Sequence, residues 1–142
     1  MKLRDAIGAG LVYGLSVFSI GFVLGAVRTL LVVPRTGATA AVLAEAPIIL
    51  YISWIISRRL IIRFNVADKA ASRILMGGIA FAVLMLCEFG LSVSIFHRTG
   101  GEFFAAFASM HGALGLVAQV LFAVFPYIRL SRPLQAEGSC NS

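Results

Sequence analysis

Long runs of apolar residues fill most of this sequence and lie near residues 6–33, 38–57, 72–96 and 103–128. At ~1.5 Å of rise per residue, each run is long enough to cross a hydrocarbon core of ~30 Å as a helix. None shows the period-two alternation that is typical of barrel strands. Because lipid offers no partners for backbone N–H and C=O groups, a spanning segment must satisfy them internally. The pattern therefore predicts an all-α polytopic membrane protein with four transmembrane helices in a compact bundle.

The same pattern predicts the domain organisation. We expect residues 1–133 to form a single four-helix transmembrane domain and the polar segment 134–142 to form a disordered tail. The first run is longer than the ~7–15 residue core of a signal peptide, so we expect it to remain as a span. The chain is 60% hydrophobic and 13% charged, whereas soluble domains average about 45–50% and 25%. This composition excludes a soluble fold.

Basic residues are distributed unevenly among the predicted loops. Nine of the 12 Lys and Arg residues precede the first run, separate the second from the third, or follow the fourth. The positive-inside rule then places both termini in the cytoplasm. The net charge of +6 follows from this distribution and requires no nucleic acid partner. Five of these residues are expected to contact anionic lipid headgroups of the bilayer: Arg58, Arg59, Arg63, Lys69 and Arg73.

Four ionisable side chains fall inside the predicted spans, namely Arg28, Glu45, Glu88 and His111. Each costs at least ~2.5 kcal/mol at membrane depth, so each requires an explanation. Counted from the nearest ends of their runs, all four lie roughly 9–12 Å below the outer boundary. We therefore expect one buried polar layer in the outer half of the membrane.

Two interpretations of this layer remain open. In the structural one, Arg28 and Glu45 form a buried ion pair that fixes the first hairpin, and Glu88 is protonated or bonded to His111. In the functional one, the layer binds or relays a proton, a cation or a small polar ligand. Arg28 would then hold one carboxylate charged or bind an anionic group, and His111 could shuttle a proton.

Three further residues are expected to support the layer: Pro47, Gln119 and Arg35. Pro47 lacks an N–H and therefore frees a backbone acceptor within a turn of Glu45. Gln119 lies deeper in the fourth run, where it either forms an interhelical hydrogen bond or extends a polar path.

Glycines in the first run predict close helix packing. Gly10 and Gly14, and again Gly21 and Gly25, have the small-residue spacing that lets helix backbones approach closely in membranes. At ~100° per residue all four glycines share one stripe with Arg28, so this stripe is expected to face protein.

Motifs for catalysis or metal binding are absent from the sequence. The two histidines have no metal-ligand spacing, and no serine-nucleophile or phosphate-binding glycine motif occurs. The two cysteines, Cys87 and Cys140, lie at different predicted depths, which argues against a disulfide. We therefore expect no metal and no cofactor, and the sequence does not favour an enzyme.

The segments GFVLGAVR (21–28), PRTG (34–37), EAP (45–47) and SW (53–54) resemble a family of small proteobacterial four-helix inner-membrane proteins. The resemblance extends over most of the chain and is sharpest at Arg28, Pro34, Arg35, Glu45 and Pro47. It implies a multi-pass protein of the bacterial inner membrane. It transfers no activity to the chain.

Three functional hypotheses follow. The first is a non-enzymatic protein that acts by helix packing, as a homo-oligomer or as an accessory subunit of a membrane complex. The second is a proton-coupled transporter of a small molecule or ion that uses the buried polar layer. The third, with no motif behind it, is a membrane enzyme acting on a lipid or isoprenoid.

Overall fold

The computed structural model describes residues 2–129, and every regular element in this range is helical. Four of the helical segments are long and apolar enough to cross a membrane, which confirms the all-α class and the expected number of membrane-length helices. The predicted tail, 134–142, lies outside the described residues. The elements are α1 (Lys2–Val27), a π-helical turn (Arg28–Val32), α2 (Val33–Thr36), α3 (Ala38–Arg63), α4 (Ala70–Ser94), α5 (Gly100–Ala105), a 3₁₀ turn (Ala106–Ala108) and α6 (Met110–Ile128).

The fourth expected span, 103–128, is divided in the structure. Thr99 and Glu102 form a reciprocal capping box that begins the short helix α5. Ser109 is extended (φ −75°, ψ 157°), and its Oγ accepts a hydrogen bond from the Gly112 N–H at 3.2 Å. Because this hydroxyl caps a new helix, α6 begins at Met110 and the expectation of one continuous helix from 103 was wrong. Similarly, α3 continues past residue 57 to Arg63.

The long helices alternate in direction and form a four-cornered bundle. Helix α1 packs mainly on α4 and also on α3, while α6 packs on both α3 and α4. Helices α1 and α6 are therefore diagonal to each other. We call the end that contains the start of α1, the 64–69 turn and Arg129 the basic end. The other end, with the Gly37 turn and residues 95–109, is the hairpin end.

Backbones approach closely in the half of the bundle nearer the basic end. A Cβ added to Gly14 would lie 2.7 Å from Ala80 O, and one added to Gly10 would lie equally close to an α4 carbonyl. A Cβ on Gly77 would overlap the carbonyl of Ala123 in α6. These glycines therefore let α4 touch α1 on one side and α6 on the other.

Tyr13 joins the diagonal helices at the centre of this packed half. Its side chain is fully buried, and its hydroxyl donates a 3.0 Å hydrogen bond to Phe122 O in α6. The two rings also contact each other, with their centroids 4.6 Å apart. Small residues of α1, Ala6 and Ala9, complete the contact surface around Tyr13 without exposure to solvent. The core of the bundle is thus concentrated toward the basic end.

Arg73 corrects one expectation about the lipid-facing basic residues. Its side chain is buried, donating from Nε to Ala67 O at 3.3 Å and pairing through Nη2 with Asp68 Oδ1 at 3.4 Å. It therefore ties the 64–69 turn to α4 instead of reaching a lipid headgroup. The other four predicted headgroup contacts, Arg58, Arg59, Arg63 and Lys69, are exposed.

The neighbouring glycines of α4 provide a test of the packed half. We expect Gly77→Ala to lower stability by about 1–3 kcal/mol, because the new Cβ overlaps the α6 backbone. Gly78→Ala is the matched control, since nothing lies within 4 Å of a Cβ there. Thermal unfolding in detergent measures both variants. Equal melting temperatures for the two would contradict close packing of α4 on α6.

Candidate functional site: a cavity among the four helices

A cavity of about 530 Å³ opens between the long helices toward the hairpin end. Its walls are mostly apolar and include Val17, Leu84 and Phe122. Gly115 lines it with open space in front of its Cα, so the cavity exists partly because this position lacks a side chain. The bundle is thus closely packed in one half and hollow in the other.

The predicted glycine stripe divides between these two halves. Gly10 and Gly14 lie against the α4 backbone, as described above. Gly21 and Gly25 instead line the cavity. A Cβ on Gly25 would find the Arg28 guanidinium 3.9 Å away, so this side chain lies over the glycine. The second glycine pair therefore makes room for polar side chains.

The π-helical turn that carries Arg28 has a cause in the sequence. Pro34 has no N–H to donate to the carbonyl of Leu30, so the α-helical pattern is interrupted there. The Val33 N–H instead bonds Arg28 O, five residues back. Such wide turns are rare and often occur at functional sites.

Gly37 brings the next helix alongside this turn. Its φ of 83° lies in the left-handed region that favours glycine, and its N–H bonds Val33 O at 2.9 Å. The chain reverses within this single residue between α2 and α3. As a result, Arg28 and Glu45 meet across the hairpin.

The Arg28–Glu45 ion pair that the sequence suggested is present. Arg28 Nη1 donates to Glu45 Oε2 at 2.6 Å, and the side chains are 32% and 15% exposed. Both residues line the cavity. The short contact between opposite charges is a charge-assisted hydrogen bond, which is stronger than a neutral one.

Glu88 and Gln119 form the second polar contact of the cavity. The Gln119 side-chain amide nitrogen lies 2.7 Å from both carboxylate oxygens of Glu88 and donates to them. This contact joins α4 to α6 and is the interhelical hydrogen bond that was one of the two alternatives for Gln119. Gln119 Oε1 is buried and has no hydrogen-bond partner within residues 2–129.

His111 does not belong to this group, contrary to the expected four-residue layer. Because α6 begins at Met110, His111 lies in the first turn, where its side chain is exposed. Its Nε2 lies 3.4 Å from Ser109 Oγ. Gln119, two turns deeper, stands where His111 was expected to meet Glu88. Because the break before α6 places His111 in the first turn of the helix, Glu88 contacts Gln119 and not His111.

Two supporting residues lie outside the cavity wall. Pro47 is exposed within α3, and Arg35 is exposed in α2. Neither lines the cavity, although Pro47 lies only two residues beyond Glu45. Neither side chain is therefore placed to contact a ligand in the cavity.

Metal binding has no cluster to support it in the described part of the chain. Within residues 2–129, no group of three or more His, Cys, Asp or Glu side chains could hold a metal ion. The polar groups of the cavity are instead a guanidinium, two carboxylates, one amide and the hydroxyls of Thr29 and Ser53. These groups can form hydrogen bonds and ion pairs with a ligand, and the carboxylates can bind a proton.

Comparisons with protein-family models, with curated proteins and with solved structures found no match to this chain. The resemblance noted in the sequence therefore stays a prediction. Fold and site together define a small helical bundle whose four apolar segments have the length of membrane spans and surround one cavity lined with polar side chains.

A double-mutant cycle tests the ion pair. We expect Arg28→Met to lower stability by about 2 kcal/mol or more, because it leaves the Glu45 carboxylate without its partner. With Glu45→Gln already present, the same change should cost much less, giving a coupling energy of about 1 kcal/mol or more. Unfolding in sodium dodecyl sulfate measures all four proteins. Arg35→Met replaces an exposed arginine of the same hairpin and should show little coupling to Glu45→Gln.

Proposed function

We propose that the protein is a small carrier that binds a polar or charged molecule in its four-helix cavity. The observation that carries this proposal is that charged or amide side chains from all four long helical segments reach the same space, beside the hydroxyls of Thr29 and Ser53. Arg28 continues from α1, Glu45 comes from α3, Glu88 from α4 and Gln119 from α6. A single ion pair would suffice to fix helix register. Four charged or amide groups around an open volume are more than packing requires.

Proton coupling fits the chemistry of this site. A carboxylate can hold either a proton or a cationic group of a ligand, and the cavity has two carboxylates, Glu45 and Glu88. Intramembrane carboxylates of this kind are typical of proton and substrate pathways. Binding of a ligand would then displace a proton, which is the exchange that a proton-coupled carrier needs.

We propose that the basic end faces the cytoplasm of a bacterial cell. Four exposed basic residues support this orientation by the positive-inside rule: Arg58, Arg59, Arg63 and Lys69. They would contact anionic headgroups at that surface. The cavity would then open toward the outer half of the inner membrane, the membrane that the sequence resemblance implies.

Water access to the cavity tests the proposed function. In a protein with Cys87 and Cys140 replaced by serine, we expect Gly115→Cys to react readily with N-ethylmaleimide in nanodiscs. A carrier must hydrate its site, and thiols react as thiolates, which form in water and not in lipid. The matched control is Gly78→Cys, which points outward and also has open space at its Cβ. It should react at least about tenfold more slowly.

Equal, slow labelling at the two positions would mean that lipid or protein fills the cavity. That result would contradict a carrier and favour a packing role.

A second candidate function, helix packing in a homo-oligomer, is favoured by a second feature. An apolar groove of about 370 Å³ runs along the outer side of α4 and α6, with Gly78 among its lining residues. Glycine there leaves room for another helix to approach. Since two-fold homodimers are the commonest assemblies, we propose a second copy of the chain as the occupant. An accessory role in a larger complex is the competing outcome.

Disulfide cross-linking distinguishes these outcomes. In the same cysteine-free background, single cysteines are placed along the α4 side of the groove, at Ile74, Gly78 and Phe81. With a membrane-permeant oxidant in proteoliposomes, the cysteine beside the two-fold axis should form a disulfide-linked dimer, because it lies close to its own copy. Tyr51→Cys, exposed on the far helix α3, is the control and should stay monomeric. No dimer from any of these three positions would exclude a second copy from the groove. Cross-linking to another protein in native membranes would indicate an accessory subunit.

A further inference from the structure

The charges of the cavity do not balance. Its charged lining residues are Arg28, Glu45 and Glu88. The guanidinium of Arg28 is bonded to Glu45 at 2.6 Å, whereas Glu88 accepts hydrogen bonds from the neutral amide of Gln119. Glu45 is therefore paired with a cation, whereas the Glu88 carboxylate is bonded to a neutral amide. In a low-dielectric site such a group favours a positive charge beside it.

The amide of Gln119 adds an independent indication. Its nitrogen is committed to Glu88, while its Oε1 is buried without a partner among residues 2–129. A buried acceptor without a hydrogen bond costs about 1–3 kcal/mol. A proton on Glu88 can satisfy both groups in the empty site, because rotation of the amide lets Oε1 accept the carboxyl O–H. A ligand that displaces this proton must therefore replace both the positive charge and the donor. A group that brings both a positive charge and several N–H donors satisfies both atoms.

We infer that the ligand of the cavity is a lipophilic ammonium ion whose charged nitrogen binds Glu88 and Gln119. This inference rests on the proposed carrier function and names its substrate class. The remaining walls fit an apolar body, with Phe18, Phe22 and Phe122 lining the same space. Aromatic rings also attract cations.

Other ligand classes fit the site less well. An anion would meet two carboxylates, and the guanidinium it needs is already paired with Glu45. A neutral alcohol would leave the charge of Glu88 unbalanced. A quaternary ammonium ion would balance the charge but could not donate to Gln119 Oε1. The volume of about 530 Å³ is in the usual range for a site that takes a small organic molecule.

The inference is tested by asking which small molecules bind in the cavity and thereby slow the labelling of the engineered thiol. The Gly115→Cys protein in nanodiscs is labelled with N-ethylmaleimide in the presence of four matched probes. They are 4-phenylbutylammonium, 4-phenylbutyltrimethylammonium, 4-phenylbutanol and 4-phenylbutyrate. We expect the primary ammonium ion to slow labelling at a concentration at least about tenfold below that of the other three.

Variants of Glu88 identify the group responsible. Glu88→Gln keeps the shape but removes the charge, so the concentration of 4-phenylbutylammonium needed for protection should rise about tenfold or more. Glu88→Asp retains the carboxylate and should keep the preference for the ammonium ion. Glu102→Gln is the control, because Glu102 is an exposed carboxylate in the α5 cap. Melting temperatures confirm that each variant is folded.

The outcomes separate this inference from the proposed function. If the thiol is labelled but 4-phenylbutyrate or 4-phenylbutanol protects as well as the ammonium ion, the substrate class is wrong and the carrier proposal stands. Protection by none of the probes, or unchanged protection in Glu88→Gln, also overturns the inference. Equal protection by the trimethylammonium probe also overturns the inference, because it shows that binding needs no N–H donor for Gln119 Oε1. Absence of labelling without any probe contradicts the carrier itself.

Discussion

The close approach of helix backbones near the basic end is the constraint on which the rest of the structure depends. Gly10, Gly14 and Gly77 remove the side chains that would keep α4 away from its two neighbours. Tyr13 then fixes the diagonal distance by bonding the backbone of α6. In a membrane, where apolar surface gains little from leaving lipid, such contacts are the main source of packing energy. Because the helices are held at this end, they can remain apart at the other.

The hollow half holds charged groups because local backbone features direct them inward. Pro34 produces the wide turn at Arg28, and Gly37 reverses the chain so that Glu45 lies opposite. Glu88 and Gln119 meet without any special turn, since α4 and α6 pack against each other along their lengths. The two polar contacts thus have different origins, one in a hairpin and one in helix packing. Each nevertheless joins two helices across the same cavity.

The spans and the Arg28–Glu45 pair could be predicted because they depend on local chemistry. Long apolar runs must be helices in lipid, and residues on either side of a short hairpin must be neighbours. The partner of Glu88 depended on where α6 begins, and a single serine hydroxyl at Ser109 decides that. Arg73 was assigned to lipid because its charge resembles that of its neighbours in sequence. Its burial depends on the path of the 64–69 turn, and hydropathy does not describe that path.

The early break before α6 also gives the bundle helices of unequal length. The apolar segment Leu3–Thr36 has 34 residues and Met110–Ile128 has 19, which correspond to about 50 Å and about 29 Å of helix. A hydrocarbon core of ~30 Å matches the shorter segment when it is upright, whereas the longer one must tilt or extend beyond the core. Bilayer thickness therefore acts on α1 and α6 unequally. Since these helices stand on opposite sides of the cavity, a bilayer of given thickness would place different demands on its two walls.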